Sequence, residues 1–270
     1  MVEATARNAR LWRRLIGARI RSDLQYRTSL VMLATGTFLV TTMDFAMIAV
    51  IFGRVPSLAG WSLAEVAFLY GTAGIAFGIA DLFVGSVDKA SERIRTGSFD
   101  IILLRPVGTL LQLVTDEFAL RRASRPLQPL VVLVIAMMAL DVAWTPLRLA
   151  MIALMIVGGT VIFSGIWVIS AAATFWTVEG REAANAVTYG GGFLTQYPLP
   201  VYGEVVRSLA FVVPLAFVNY VPALAVLGKD DTLGIPGPLR YAAPLVAVAL
   251  TVVATVTWRV AVRHYRSTGS

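Results

Sequence analysis

Apolar residues are gathered into six long stretches along this chain, and polar residues are concentrated in the segments between them. Each stretch is about long enough to cross a hydrocarbon core of roughly 30 Å as an α-helix. The pattern therefore predicts an all-α membrane protein whose single domain, residues 1–270, contains six transmembrane helices. The predicted spans are Ser29–Phe52, Leu63–Val84, Leu127–Ala143, Leu149–Trp176, Ser208–Leu227 and Tyr241–Trp258.

Composition and charge agree with a membrane protein. Charged residues make up 14% of the chain, against about 25% of a typical soluble domain. Nineteen of the 23 basic residues fall on one side of the six spans, and only Arg54, Arg148, Lys229 and Arg240 fall on the other. Because basic residues are retained in the cytoplasm, both termini are predicted to be cytoplasmic. These residues explain the net charge of +7 and suit anionic lipid headgroups, so we expect no nucleic-acid partner.

Three cytoplasmic segments are predicted outside the spans. Residues 1–28 have apolar positions at helical spacing opposite arginines, which indicates an amphipathic helix in the membrane interface or a plain basic tail. The segment Gly85–Pro126 opens with a short charged helix, Ser86–Arg95, and Thr177–Arg207 contains glycines and prolines that indicate a break between a helix and a turn. Residues 263–270 form a cytoplasmic tail. Two prolines in the fifth span should kink it or split off a re-entrant piece.

Several kinds of chemistry are missing from the sequence. The chain has no cysteine and a single histidine, His264, so no catalytic cluster and no metal site of the usual His/Cys type can be assembled. It also lacks the GxxxxGK[ST] pattern that cradles phosphates. We therefore predict a protein that is not an enzyme, that carries no cofactor of its own and that has no energy source of its own.

Polar groups inside the predicted spans are the remaining functional candidates. Asp44 lies deep in the first span, where an ionised carboxylate is costly; it is predicted to line a pathway, to pair with a basic residue of a partner, or to bind a neighbouring helix. Asp81 and Glu65 lie near span ends, where solvation is easier, and Asn219 lies between the two prolines of the fifth span. The pathway-lining candidates are Asp44, Asp81 and Asn219.

Three glycines in the second span, Gly71, Gly74 and Gly78, share one helical face. Glycines at this spacing let another helix backbone approach closely. The face is predicted to pack within the subunit or, alternatively, to form a dimer contact.

Three sequence blocks together resemble the permease subunits of type-2 ABC exporters, in a bacterial six-span branch. They are Gly97–Pro106 (GSFDIILLRP) after the charged helix, then Gln196–Tyr202 (QYPLPVY) with Phe211–Phe217 and Tyr220–Ala223, and finally Trp258 with Tyr265–Ser270. The resemblance implies a half-transporter in the bacterial cytoplasmic membrane. Its partners would be a second permease, a different chain or a second copy, and two ATP-binding subunits that hold ATP and Mg²⁺.

In such permeases the first cytoplasmic loop couples to the ATPase, and here that loop is Ser86–Arg95 with its continuation to Arg105. The resemblance thus assigns ATPase coupling to Ser86, Asp88, Lys89, Glu92, Arg93, Arg95 and Arg105. It also implies short re-entrant helices on the outer side between spans 5 and 6, for which the outer loop predicted here is short. The competing interpretations are a secondary transporter or channel subunit, and a membrane anchor or assembly factor without an ATPase.

Overall fold

The computed structural model describes residues 16–18, 20–116, 119–177 and 181–265, and every regular element in these ranges is helical. The all-α prediction is therefore confirmed for the part of the chain described. The α-helices are α1 (Arg27–Phe52), α2 (Leu63–Val84), α3 (Ala90–Arg95), α4 (Phe99–Leu103), α5 (Thr109–Asp116), α6 (Leu127–Ala139), α7 (Pro146–Ala173), α8 (Arg181–Leu194), α9 (Glu204–Val212), α10 (Tyr220–Leu227) and α11 (Ala243–His264).

The described helices include four that are long and apolar enough to cross a membrane, and these contain α1, α2, α7 and α11. The bent pair α9–α10 makes a fifth candidate. The predicted third span, Leu127–Ala143, forms only the 13-residue helix α6. The predicted interfacial helix, residues 1–28, lies largely outside the described residues, as does the end of the tail, residues 266–270.

Helix α2 is the centre of the bundle. It begins with a capping box in which the Ser62 hydroxyl accepts from the Glu65 amide and the Glu65 carboxylate accepts from the Ser62 amide. The same carboxylate binds Lys229 at 2.8 Å, so Glu65 fixes one end of the bundle. At the other end the helical run continues through a 3-10 turn, Gly85–Lys89, into α3. The transmembrane helix and the charged helix are therefore one continuous element.

Helix α6 packs along the glycine face of α2. A Cβ atom at Gly71 would lie 2.9 Å from the Leu133 backbone, and one at Gly78 would lie 2.9 Å from the Pro126 nitrogen. At Gly74 it would lie 2.6 Å from the Pro129 ring. The three glycines thus bring α6 into backbone contact within the subunit. An irregular segment, residues 140–145, continues past α6 and places Trp144 on the ring of Phe68, which extends the contact towards the start of α2.

The segment Thr177–Arg207 was predicted to be cytoplasmic, and most of its described residues are packed into the bundle. Helix α8 lies along α7 and α2, with Gly192 against the Phe77 ring and Gly191 against Leu215. The Tyr-Gly-Gly-Gly run was expected to break a helix. Instead its small residues allow close helix packing, as they do in other membrane helices.

The predicted interruption of segment Ser208–Leu227, by a kink or by a split into a re-entrant piece, is confirmed as a bend. Helices α9 and α10 meet at 78° across a break that contains Pro214. Pro222 does not interrupt α10, because it lies in the first turn, where the missing amide has no helical partner. The turn between the two helices reaches Gly159 in the middle of α7 through Val218.

Candidate functional site

A cleft of about 500 Å³ opens between α1, α2 and α8. Its volume is in the range of sites that hold drug-sized ligands. One wall is α1, the second is the face of α2 next to the glycines, and the third is α8 with the residues that follow it. The lining residues are Met32, Leu33, Gly36, Thr37, Val40, Thr41, Asp44, Tyr70, Gly74, Phe77, Gly78, Arg125, Pro129, Tyr189, Gly192, Phe193 and Gln196.

Asp44, one of the predicted pathway-lining candidates, is the acidic residue among those that line the cleft. The neighbouring Phe45 ring lies 5.1 Å from the ring of Tyr70, which fixes the level of Asp44 along α2. The Tyr70 hydroxyl lies 2.9 Å from the Thr41 carbonyl oxygen and 3.0 Å from Oε1 of Gln128. Its proton is therefore shared between those acceptors, and that hydroxyl is not a donor to Asp44.

The second charged residue of the cleft, Arg125, is neutralised by Asp81. Its guanidinium donates to the Asp81 carboxylate at 2.7 Å, and Arg122 lies 3.7 Å from the other carboxylate oxygen. Asp81 itself is fully buried. This pairing explains Gly85, since a Cβ there would lie 2.2 Å from the Asp81 carboxylate. Asp81, predicted as pathway-lining, thus lies behind the cleft and reaches it only through Arg125.

Tyr189 connects the cleft to the charged helix. Its ring packs in a cluster with Phe77 and Trp167, at centroid distances of 5.9 and 6.0 Å. Its hydroxyl donates to the Asp88 carboxylate at 3.2 Å. Asp88 lies in the 3-10 turn that leads from α2 to α3. A displacement of that turn therefore acts directly on a residue that lines the cleft.

Two hydrogen bonds hold the far end of α8. Asn219, predicted as pathway-lining, is fully buried and donates through Nδ2 to the carbonyl oxygens of Leu69 and Thr195. It ties α8, α2 and the bent pair together and does not line the cleft. The Tyr202 hydroxyl donates to the Leu194 carbonyl oxygen at 3.1 Å. Burial raises the pKa of this hydroxyl to about 12, so it stays a donor at physiological pH.

The predicted coupling residues divide into an inward and an outward group. Ser86 is buried and donates to the Val114 carbonyl oxygen at 3.1 Å, and Asp88 is half-buried against Tyr189. Arg93 is half-buried. The side chains that are exposed on the surface are Lys89, Glu92, Arg95 and Arg105. One face of this segment therefore exposes side chains of both charges. The opposite face, with Ser86 and Asp88, is bound to the bundle.

Several residues of the site escaped the sequence analysis, and Tyr189, Arg125 and Leu104 are the most important of them. Tyr189 and Arg125 lie in two of the predicted cytoplasmic segments and were not among the candidate site residues. The small-residue spacing around Gly191 and Gly192 was the available signal for α8. Leu104 also escaped notice, although its side chain is 85% exposed next to Arg105. Among the described residues no group of three or more acidic or histidine side chains is arranged to hold a metal ion.

Comparison with known proteins identifies the family. A family model described as ABC-2 family transporter protein matches residues 38–269. No curated protein and no solved structure matches the chain. The matched range contains the second half of α1, with Asp44, and every later helix, including the α2 and α8 walls of the cleft. The apolar helices agree with a multi-pass membrane protein, and members of such permease families associate with an ATP-binding ABC subunit. The chain belongs to the ABC-2 transporter family and is a membrane permease subunit of that type.

Proposed function

We propose that this chain forms one half of the translocation pathway of an ATP-driven exporter. A second permease, either a different chain or a second copy, completes the cleft, and two ATP-binding subunits dock on the cytoplasmic face. ATP and Mg²⁺ are bound and ATP is hydrolysed on those subunits, and this chain performs no catalysis. The contact between Tyr189 and Asp88 carries the proposal, because it joins a cleft wall to the segment that would receive the ATPase.

The topology that we propose has six crossings: α1, α2, α6 with residues 140–145, α7, α8 and α11. The bent pair α9–α10 then enters from the outer side and returns to it. Hydrogen bonds support this arrangement, since Asn219 joins α8 to α2 two turns from the start of α2, and Lys229 returns to Glu65 in its first turn. Compared with the six spans predicted from the sequence, this topology places Arg207 on the outer side. The cytoplasmic side keeps 18 of the 23 basic residues and both termini.

The coupling surface would consist of the exposed charges of α3 and the tip near Arg105. Lys89, Glu92 and Arg95 are suited to ion pairs with an ATPase groove, and the exposed Leu104 adds an apolar contact. Because α3 continues α2, a force on this surface is transmitted into the helix that forms the second wall of the cleft. The transport direction in this proposal, outward, comes from the resemblance to exporters.

A charge exchange tests the coupling. We expect the double variant Glu92→Arg with Arg95→Glu to fold normally, because both side chains are exposed. In the complex with the ATP-binding subunits it should lose most of its substrate-stimulated ATPase activity, since charge pairs at a docking surface are reversed. The measurement is ATPase activity in nanodiscs, together with the yield of ATP-binding subunit that co-purifies.

The matched control is Asp141→Lys, which reverses an exposed charge in the segment between α6 and α7, at the other end of the bundle. It should keep wild-type ATPase activity. Wild-type coupling in the double variant would contradict the assignment of the coupling surface. Absence of any stoichiometric ATP-binding subunit from the wild-type complex would contradict the proposed function as a whole.

A further inference from the structure

The charges around the cleft are unequal. Two charged residues line it, Asp44 and Arg125. Arg125 is paired with Asp81 at 2.7 Å, and Arg122 lies 3.7 Å from the same carboxylate. In the described part of the chain no basic side chain pairs with Asp44. The cleft therefore presents one uncompensated negative charge.

Distance keeps Asp44 separate from the arginines. Asp44 lies at the level of Tyr70, whereas the chain next to Arg125 meets α2 at Gly78. These two positions are eight residues apart on α2, which corresponds to about 12 Å along a helix. An interaction over this distance is much weaker than a contact pair. A bound cation would therefore meet in Asp44 a carboxylate about 12 Å along α2 from the arginine end of the cleft.

The rest of the cleft suits an apolar molecule with aromatic or aliphatic groups. Its walls carry Met32, Leu33, Val40, Phe77 and Phe193. The rings of Tyr70, Phe77 and Tyr189 also line it, and the faces of aromatic rings attract organic cations. The polar groups near Asp44 are few, and the Tyr70 hydroxyl is already used by Thr41 and Gln128.

We infer that the cleft binds a cationic amphiphile, with the positive group at Asp44 and the apolar body against α1 and α8. The inference rests on the proposed function, because it assigns a cargo class to the same cleft. The volume of about 500 Å³ fits a drug-sized molecule, such as an amine or quaternary ammonium compound with a large apolar group. Binding of the cargo also removes the cost of an isolated carboxylate within the membrane.

Tetraphenylphosphonium and tetraphenylborate provide a matched pair of probes, because they have nearly the same shape and opposite charge. We measure the binding of each probe to the full complex in nanodiscs and subtract the binding to empty nanodiscs. We expect wild type to prefer the cation, Asp44→Asn to bind it at least tenfold more weakly, and Asp44→Glu to retain binding. The anion should bind Asp44→Asn no more weakly than wild type. The control Asp141→Asn removes an exposed acid outside the cleft and should leave both affinities unchanged.

Two results would overturn the inference: no preference of wild type for the cation, or equal affinity of wild type and Asp44→Asn. A third contradicting result would be that a helix of the second permease occupies the cleft. Because the chain has no cysteine, Thr37→Cys places a single thiol on the cleft wall. Cross-linking of that thiol to the second permease, without protection by tetraphenylphosphonium, would show that a protein segment fills the site and that the inference is wrong.

The outcomes distinguish an error in the cargo class from an error in the proposed function. Co-purification of the ATP-binding subunit with wild type, and its reduced yield in the charge exchange on α3, depend neither on Asp44 nor on a cargo. If those experiments succeed and the cation does not bind, the cargo class is wrong and the proposed function stands. If the cation binds through Asp44 and no ATP-binding subunit is found, the site stands and the proposed function is wrong.

Discussion

Helices α1 and α2 have nearly the same hydropathy and opposite surroundings. In the most apolar segment of α2, 72% of the residues are buried within the chain, and in that of α1 only 6% are. Hydrophobicity therefore qualifies both as membrane spans and does not decide which becomes the centre of the bundle. Within a bilayer this is expected, because lipid tails are as apolar as protein side chains and give helices little reason to associate.

Side-chain size distinguishes the two helices. The face of α2 that meets α6 carries Gly71, Gly74 and Gly78, so the two backbones touch. Helix α1 instead presents large side chains such as Met32, Met43 and Met47, each about 70% exposed. Close packing fixes α2 as the scaffold, whereas α1 forms one wall of the cleft and leaves most of its surface for lipid or a second permease.

The buried acid of α2, Asp81, and the cleft-lining acid of α1, Asp44, sharpen the contrast. Asp81→Asn should destabilise the protein by about 2–3 kcal/mol, because removing one partner of a buried ion pair leaves charge uncompensated, and the partial exposure of Arg125 reduces that cost. Asp44→Asn should change stability by less than about 0.5 kcal/mol, as expected where no ion pair is broken. Reversible unfolding in mixed micelles gives both values.

The opposite ranking of the two acids would contradict this account. If Asp44→Asn were the more destabilising variant, Asp44 would be part of the scaffold, and the cleft would have lost its uncompensated charge. The Asp141→Asn variant serves as a further reference, since its side chain is exposed outside the bundle.

A pair of glycine variants tests the packing difference directly. Gly71→Ala places a methyl group 2.9 Å from the Leu133 backbone and should cost about 1–3 kcal/mol through overpacking. Gly36→Ala, on α1, meets no atom within 4 Å, and should be neutral or slightly stabilising, because alanine is the better helix former. Thermal unfolding of the two proteins in the same detergent measures the difference. Equal effects would show that α2 and α6 have room to separate.

The all-helical fold and the long spans were predictable because they depend on local composition. Leu63–Val84 and Ser29–Phe52 were placed within two residues of the observed helices at both ends. The bend at Pro214 was predictable for the same reason, since a proline removes a backbone donor wherever it lies. The resemblance to type-2 ABC permeases, given by blocks spread along the chain, agrees with the family assignment.

The arrangement of α8 was not predictable, because it depends on contacts between distant residues. Its glycines serve equally well as helix breakers or as packing surfaces, and only the positions of Phe77 and Leu215 decide between these roles. Asn219 shows the same limit. Its depth indicated a pathway role, and its actual partners are carbonyl oxygens 24 and 150 residues away in the chain.

The link between the cleft and α3 is a single hydrogen bond, so its loss should have a modest effect on stability. Tyr189→Phe removes the hydroxyl that donates to Asp88 at 3.2 Å and should cost about 1 kcal/mol. Tyr202→Phe removes a similar donor, to the Leu194 carbonyl oxygen, at the other end of α8, and should cost about the same. The two variants therefore disturb α8 to a similar degree and differ in whether the contact to the charged helix is lost.

Function should separate the two tyrosine variants. If force reaches the cleft through the scaffold side, α2 and α8, then Tyr189→Phe should weaken the stimulation of ATP hydrolysis by a cationic probe several-fold, and Tyr202→Phe should leave it unchanged. The measurement is the ratio of stimulated to basal ATPase activity in nanodiscs. Equal ratios in both variants would mean that α1, the loosely packed wall, carries the coupling. In that case α1, and not α2, would transmit the force from the ATP-binding subunits to the cleft, contrary to what their packing indicates.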